Sequence, residues 1–167
     1  MSAAHDYSNA EILEILDSVR SIAMVGASTN WKRPSFFAMK YLQAKGYRII
    51  PINPRTAGEV VLGERIYASL SEIPDGFDMV DIFRPSEAVM PIVDEACAIA
   101  RDKGIRVIWM QLGVINQAAA EKAEAAGLTV VMNRCPKIEF GRLHTELSWG
   151  GFNSKVITAR RRKVIFP

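Results

Sequence analysis

Cysteine and histidine are scarce. The 167 residues contain two of each, Cys97 and Cys135, His5 and His144. Two cysteines cannot form the disulfide framework that staples small secreted domains. No Cys/His spacing of a zinc site occurs either, so no metal is expected. Long apolar runs are missing: none approaches the roughly 18 residues of a membrane-spanning helix. Residues 1–8 lack the basic and apolar stretches of a secretory leader. Neither glycine-rich phosphate signature, Gly-x-Gly-x-x-Gly or Gly-x-x-x-x-Gly-Lys-[Ser/Thr], is present. A general excess of positive charge is also absent. The net charge of +3 comes from 21 basic and 18 acidic residues. Arg160, Arg161, Arg162 and Lys163 are consecutive, and without these four the count is 17 against 18. The body is near neutral, so nucleic acid is not an expected partner. What remains is a cytoplasmic protein with reduced thiols and no membrane association.

What is there is a globular composition, 49% hydrophobic and 23% charged, in a length that suits one domain. We therefore expect a single domain over residues 1–167, with a C-terminal tail from about residue 141. Ser8-Asn9-Ala10-Glu11 reads as a capping box before an amphipathic lead-in helix. Short β-rich runs follow at 21–26, 47–53, 79–83, 106–111 and 128–132. Helical patterns separate most of them. Pro34 opens one helix and Gly46 closes it. A second runs from about 91 to 103, and a third is capped by Asn116 and closed by Gly127. Residues 56–76 read as irregular. Apolar strands alternating with helices imply a mostly parallel five-stranded sheet covered on both faces, a Rossmann-like, doubly wound α/β fold. In such a sheet ligands sit beyond the carboxyl ends of the strands.

Those ends carry the candidate site. After the first strand comes Gly26-Ala27-Ser28, with Lys32 and Arg33 just before Pro34. A glycine turn, a helix N-terminus and two cations suit a diphosphate. A plain βα turn with solvated side chains would read the same way. After the second strand, Asn53-Pro54-Arg55 offers no Asp or Glu to hold ribose hydroxyls. That disfavours NAD and leaves NADP, coenzyme A or no nucleotide. Arg84-Pro85-Ser86 follows the third strand and could flank an adenine or hold a phosphate. Gln111-Leu112-Gly113 follows the fourth, a turn with little bulk. Asn133-Arg134-Cys135-Pro136-Lys137 follows the fifth.

With those stretches in order, the chain resembles the small stand-alone CoA-binding proteins related to the N-terminal domain of succinyl-CoA synthetase α subunits. Lys45-Gly46-Tyr47, Leu62-Gly63-Glu64 and Gly151-Phe152-Asn153-Ser154 extend the match. The resemblance implies a cytoplasmic Rossmann-like protein that binds coenzyme A or an acyl-CoA. By position, Gly26, Ala27, Ser28, Lys32 and Arg33 would serve the diphosphate, and Asn53 and Pro54 would lie along the nucleotide. Phe83, Arg84 and Pro85 would approach the adenine or pantetheine, and Gln111, Leu112 and Gly113 would border the pantetheine arm. The phosphorylated histidine of the synthetases has no counterpart, since the surroundings of His144 do not match that site. Ligase activity is not implied.

No nucleophile–base constellation stands out, so binding, carriage or regulation is expected rather than catalysis. The alternatives are an NADP-dependent oxidoreductase and an interaction module with a vestigial nucleotide site. Cys135, beside Arg134 and near Lys137, is a candidate reactive thiol if those charges lower its pKa. Cys97 reads as a core residue. Trp149 and Phe152 flank a glycine pair and suit either packing on the body or a homodimer.

Overall fold

The computed structural model describes residues 6–146. Trp149, Phe152 and the basic run at 160–163 lie outside the described residues. The chain opens with α1 (Asn9–Ser18), where the capping box forms as expected. The Ser8 hydroxyl accepts from the Glu11 N–H, and the Glu11 carboxylate accepts from the Ser8 N–H at 2.8 Å. The elements then alternate: β1 (Ser21–Val25), α2 (Pro34–Ala44), β2 (Arg48–Ile52), β3 (Val60–Val61), β4 (Glu64–Arg65), β5 (Met79–Ile82), α3 (Val89–Lys103), β6 (Val107–Met110), α4 (Gln117–Ala125), β7 (Thr129–Val131) and α5 (Pro136–Gly141).

The main sheet has five strands in the order β2-β1-β5-β6-β7. Every pairing in it is parallel. Its strands are buried on both sides, which explains their nearly unbroken apolar sequence. Alternate residues feed two cores. Val25, Ile52, Ile82 and Met110 face α3 and α4, while Met24, Ile49, Trp109 and Val131 face α1, α2 and α5.

Two elements lie where the sequence pattern was silent. Residues 56–76 contain the β3–β4 hairpin, joined by Leu62 and Gly63 with φ of 48° and 83°. Two-residue turns with both central residues in the left-handed region match the twist of a hairpin. Beyond β7, Pro136 takes the first turn of α5, with Cys135 as its N-cap. Phe140 of α5 is buried and meets Tyr41 and Tyr47 edge-on at 6.0 and 5.9 Å. The body continues past residue 141, with Leu143 and His144 buried and the His144 ring stacked on Phe140.

The order of strands reverses between β1 and β5, and there the chain ends of both strands nearly touch. Gly26 follows β1 with φ +87°. A Cβ at this position would sit 2.3 Å from the Phe83 carbonyl oxygen and 3.2 Å from the Arg84 side chain. Only glycine satisfies both the backbone angle and the space. We expect Gly26→Ala to lower stability by roughly 2–5 kcal/mol, combining left-handed strain with overlap against a fixed backbone. Urea denaturation measures this as a lower midpoint, whereas an unchanged midpoint would mean that the crossing is slack.

Candidate functional site

The crevice at the reversal is a cleft of about 290 Å³. That is near the small end of the range for small-molecule sites, about right for a nucleoside and too small for a longer cofactor. Four segments surround it. The ends of β1 and β2 contribute Gly26, Asn53, Pro54 and Arg55. The segment after β4 contributes Ser69 and Leu70, and the region after β5 contributes Arg84, Ala88, Ile92 and Glu95. The last three fall at i, i+4 and i+7, one stripe of a helix surface.

Asn53 builds the wall rather than reaching into it. Its Nδ2 donates to the Ala27 carbonyl at 2.8 Å and its Oδ1 accepts from the Arg55 N–H at 3.0 Å. It thereby holds the turn after β2 against the turn after β1. Arg55 and Arg84 are exposed, and their guanidinium groups have no hydrogen-bond or ion-pair partner among the described residues. Two unpaired cations against the one carboxylate of Glu95 leave the cleft net positive, which suits an anionic ligand.

The loop after β1 is organised differently from the sequence reading. The N–H groups of Gly26 and Ala27 both donate to the Ile52 carbonyl, at 2.9 and 3.2 Å. They join β1 to β2, so these two donors are already engaged within the protein. Asn30 orders the rest of the loop by accepting from the Lys32 N–H, while the Ser28 hydroxyl accepts from the Asn30 N–H. Lys32 lies 5.4 Å over the ring of its neighbour Trp31, and Arg33 caps α2 through its backbone only. Neither lines the cleft, so Arg55 and Arg84 are the cations there instead. Phe83 contributes its carbonyl to the contact with Gly26, and Pro85 is exposed before a short 3-10 turn.

The turn after β6 is also structural. Gln111 is buried, and its Nε2 donates to both oxygens of Asp81 at 2.8 and 3.1 Å. Its amide therefore does not border the cleft. The Gly113 N–H donates to Asn133 at 2.8 Å, which closes the turn, and Leu112 is exposed. Cys135 is partly buried beyond β7. Burial pushes its thiol up from the usual value, and the Asp81 charge adds to this against the lowering effect of Lys137 and the α5 N–H groups. The activation expected from its basic neighbours is outweighed.

Sequence reasoning missed Ser69, Leu70, Ile92 and Glu95. The first two fall in the segment read as irregular. The signal for the others was the 88–92–95 stripe, which points at the cleft only once α3 is docked on the sheet.

A model of the CoA binding domain matches residues 20–141. The chain belongs to the CoA binding domain family. It is 37% identical over 131 residues to the uncharacterized protein YneT of Bacillus subtilis, covering 78% of this chain and 93% of that one. It is 35% identical over 101 residues to the α subunit of acetate–CoA ligase (ADP-forming) I of Pyrococcus furiosus, which is 58% of this chain and only 21% of the subunit. The expected kinship with stand-alone CoA-binding proteins is met, and the ligase α subunit matched is that of an acetate–CoA ligase where the sequence pointed to succinyl-CoA synthetase. Among solved structures, a hypothetical protein from Pyrococcus horikoshii superposes with a TM-score of 0.77 at 38% identity, covering 86% of this chain and 96% of that one. No helix among the described residues is long and apolar enough to cross a membrane.

Asp81 gives this family member a test of its own. Its carboxyl lies on the central strand, fully buried, and burial pushes its pKa up to about 7 against the opposing hydrogen bond from Gln111. The folded state therefore holds a proton that the unfolded chain has already released above its ordinary value of 3.8. Stability from this group is full below that ordinary value and is lost as pH rises to about 7, then levels off. Asp81→Asn should flatten that slope and leave the protein more stable than wild type at pH 8, by up to about 4 kcal/mol. Urea midpoints across pH 4–8 measure it, and parallel curves for the two proteins would contradict it.

Proposed function

We propose that the chain binds coenzyme A or an acyl-CoA in the cytoplasm, as a binding, carrying or regulatory protein. The observation that carries this reading is the pair of unpartnered guanidinium groups, Arg55 and Arg84, on one cleft where β2 ends without a carboxylate. NAD leaves its ribose hydroxyls bare, and an Asp or Glu ordinarily meets them at that position. Coenzyme A carries a phosphate on the ribose and needs the opposite charge. In this reading adenosine occupies the cleft and the ribose phosphate meets Arg55. The diphosphate passes Gly26 with Arg84 beside it, and Ser28, Lys32 and Arg33 stand at its outer edge. The pantetheine arm leads past Phe83 and Pro85 toward Leu112, Gly113 and Cys135. Family membership supports the ligand. The unbridged Cys97 and Cys135 fit a reducing compartment. Acetate–CoA ligation is named for the Pyrococcus furiosus enzyme, of whose α subunit the match covers 21%, and is not part of the proposal.

Arg55 would suit the ribose phosphate of NADP equally well, which keeps an oxidoreductase as the second reading. Thermal unfolding with CoA, acetyl-CoA, NAD and NADP separates the two. A ligand at 100 times its Kd stabilises by about 2.7 kcal/mol, a midpoint rise of about 5–10 °C at this size. We expect that rise with CoA or acetyl-CoA. A rise with NADP alone would favour redox chemistry, and no rise at all would favour a vestigial site. Arg55→Ala and Arg84→Ala should each weaken CoA binding about tenfold in titration calorimetry while the apo protein unfolds normally. Unchanged affinity in both would move the phosphates elsewhere.

A further inference from the structure

A carboxylate in a cleft that takes an anionic nucleotide opposes binding unless it faces a hydrogen-bond donor. Glu95 is such a carboxylate, on the α3 stripe that lines the cleft. No ion pair joins it to Arg55 or Arg84, although all three line the same space, so it offsets part of their charge without engaging either guanidinium. One of its oxygens is held in place. Oε1 accepts from the Ser71 N–H at 2.9 Å and from the Ser71 hydroxyl at 2.7 Å. The other, Oε2, has no partner among the described residues. The side chain is therefore fixed at one end with an acceptor left over.

The neighbouring surface suits a flat base. Pro54, Leu70 and Ile92 give the cleft apolar walls. Ile92 precedes Glu95 by three residues on the same helix, so the two side chains are neighbours on one face. A base resting on Ile92 would present its edge to the carboxylate. Adenine offers acceptors at its ring nitrogens, and its one donor at the base edge is the exocyclic amino group.

We infer that Glu95, steadied by Ser71, selects adenine by accepting a hydrogen bond from that amino group; the inference rests on the coenzyme A reading above. Its carboxylate discriminates the base, whereas Arg55 and Arg84 serve the charge.

The test compares CoA with deamino-CoA, in which hypoxanthine replaces adenine: a carbonyl oxygen replaces the amino group and ring N1 gains an N–H, so the donor moves one position along the base edge. The ligands match in shape and phosphates. Wild-type protein should bind CoA about 10–100-fold more tightly, because the carbonyl sets acceptor against acceptor where the amino group donated, and the N1–H lies one ring position away from the fixed carboxylate. Glu95→Gln keeps an acceptor for Ser71 and supplies an N–H for the carbonyl. It should bring the ratio to within about threefold or invert it. A purely structural role for Glu95 would shift both affinities together and leave the ratio alone. Equal binding by wild type, or an unchanged ratio in Glu95→Gln, would overturn the inference while CoA binding stood. Wild-type protein that bound neither ligand would overturn the coenzyme A reading, and this inference with it.

Discussion

Between β1 and β5 the chain meets itself at backbone distance, and it does so because residue 26 has no side chain. A Cβ there would lie 2.3 Å from the Phe83 carbonyl oxygen. The contact sits where the strand order reverses, so the two turns diverge to opposite sides of the sheet and leave a crevice between them. Everything placed in that crevice depends on this closeness. The Arg84 side chain passes alongside Gly26, and Asn53 ties the β2 turn to Ala27. The cations of the cleft are thus delivered by the crossing of the backbone and not by a glycine-rich phosphate loop.

The two ends of the sheet divide their work. At the amino ends, Asp78 accepts from the Arg20 and Ser21 N–H groups at 2.7 and 3.0 Å and pairs with Arg106 at 3.4 Å. That edge is stitched shut by polar contacts. The carboxyl ends carry the unmatched groups, the guanidinium groups of Arg55 and Arg84 and the half-used carboxylate of Glu95, together with the buried Asp81. Unmatched charge costs little in water, where Arg55 and Arg84 lie, and becomes useful when an oppositely charged ligand arrives. Asp81 differs because it has no water to face. It remains affordable by holding its proton toward neutrality, with Gln111 as its partner.

Much of the fold was legible because its signals are local. The five apolar runs are strands buried on both faces, and Ser8, Pro34 and Asn116 mark helix starts through the orphan N–H groups of a first turn. The β3–β4 hairpin was not legible, since strands of two residues are too short for any period to show. The site was legible only as a set of strand ends. Proximity in sequence pointed to Lys32 and Arg33, but the cleft is lined by Arg55 and Arg84, while Lys32 lies over the Trp31 ring. The N–H groups of Gly26 and Ala27 looked free and are taken by Ile52. Glu95 is far along the chain from every strand end, and only the docking of α3 brings it to the cleft.

The most direct test is the structure of the protein crystallised with coenzyme A. The account predicts adenine between Pro54 and Ile92, the ribose phosphate on Arg55, and the diphosphate at the Gly26–Phe83 crossing beside Arg84. A nucleotide bound on the Lys32–Arg33 side of the loop, with the cleft left to solvent, would contradict it.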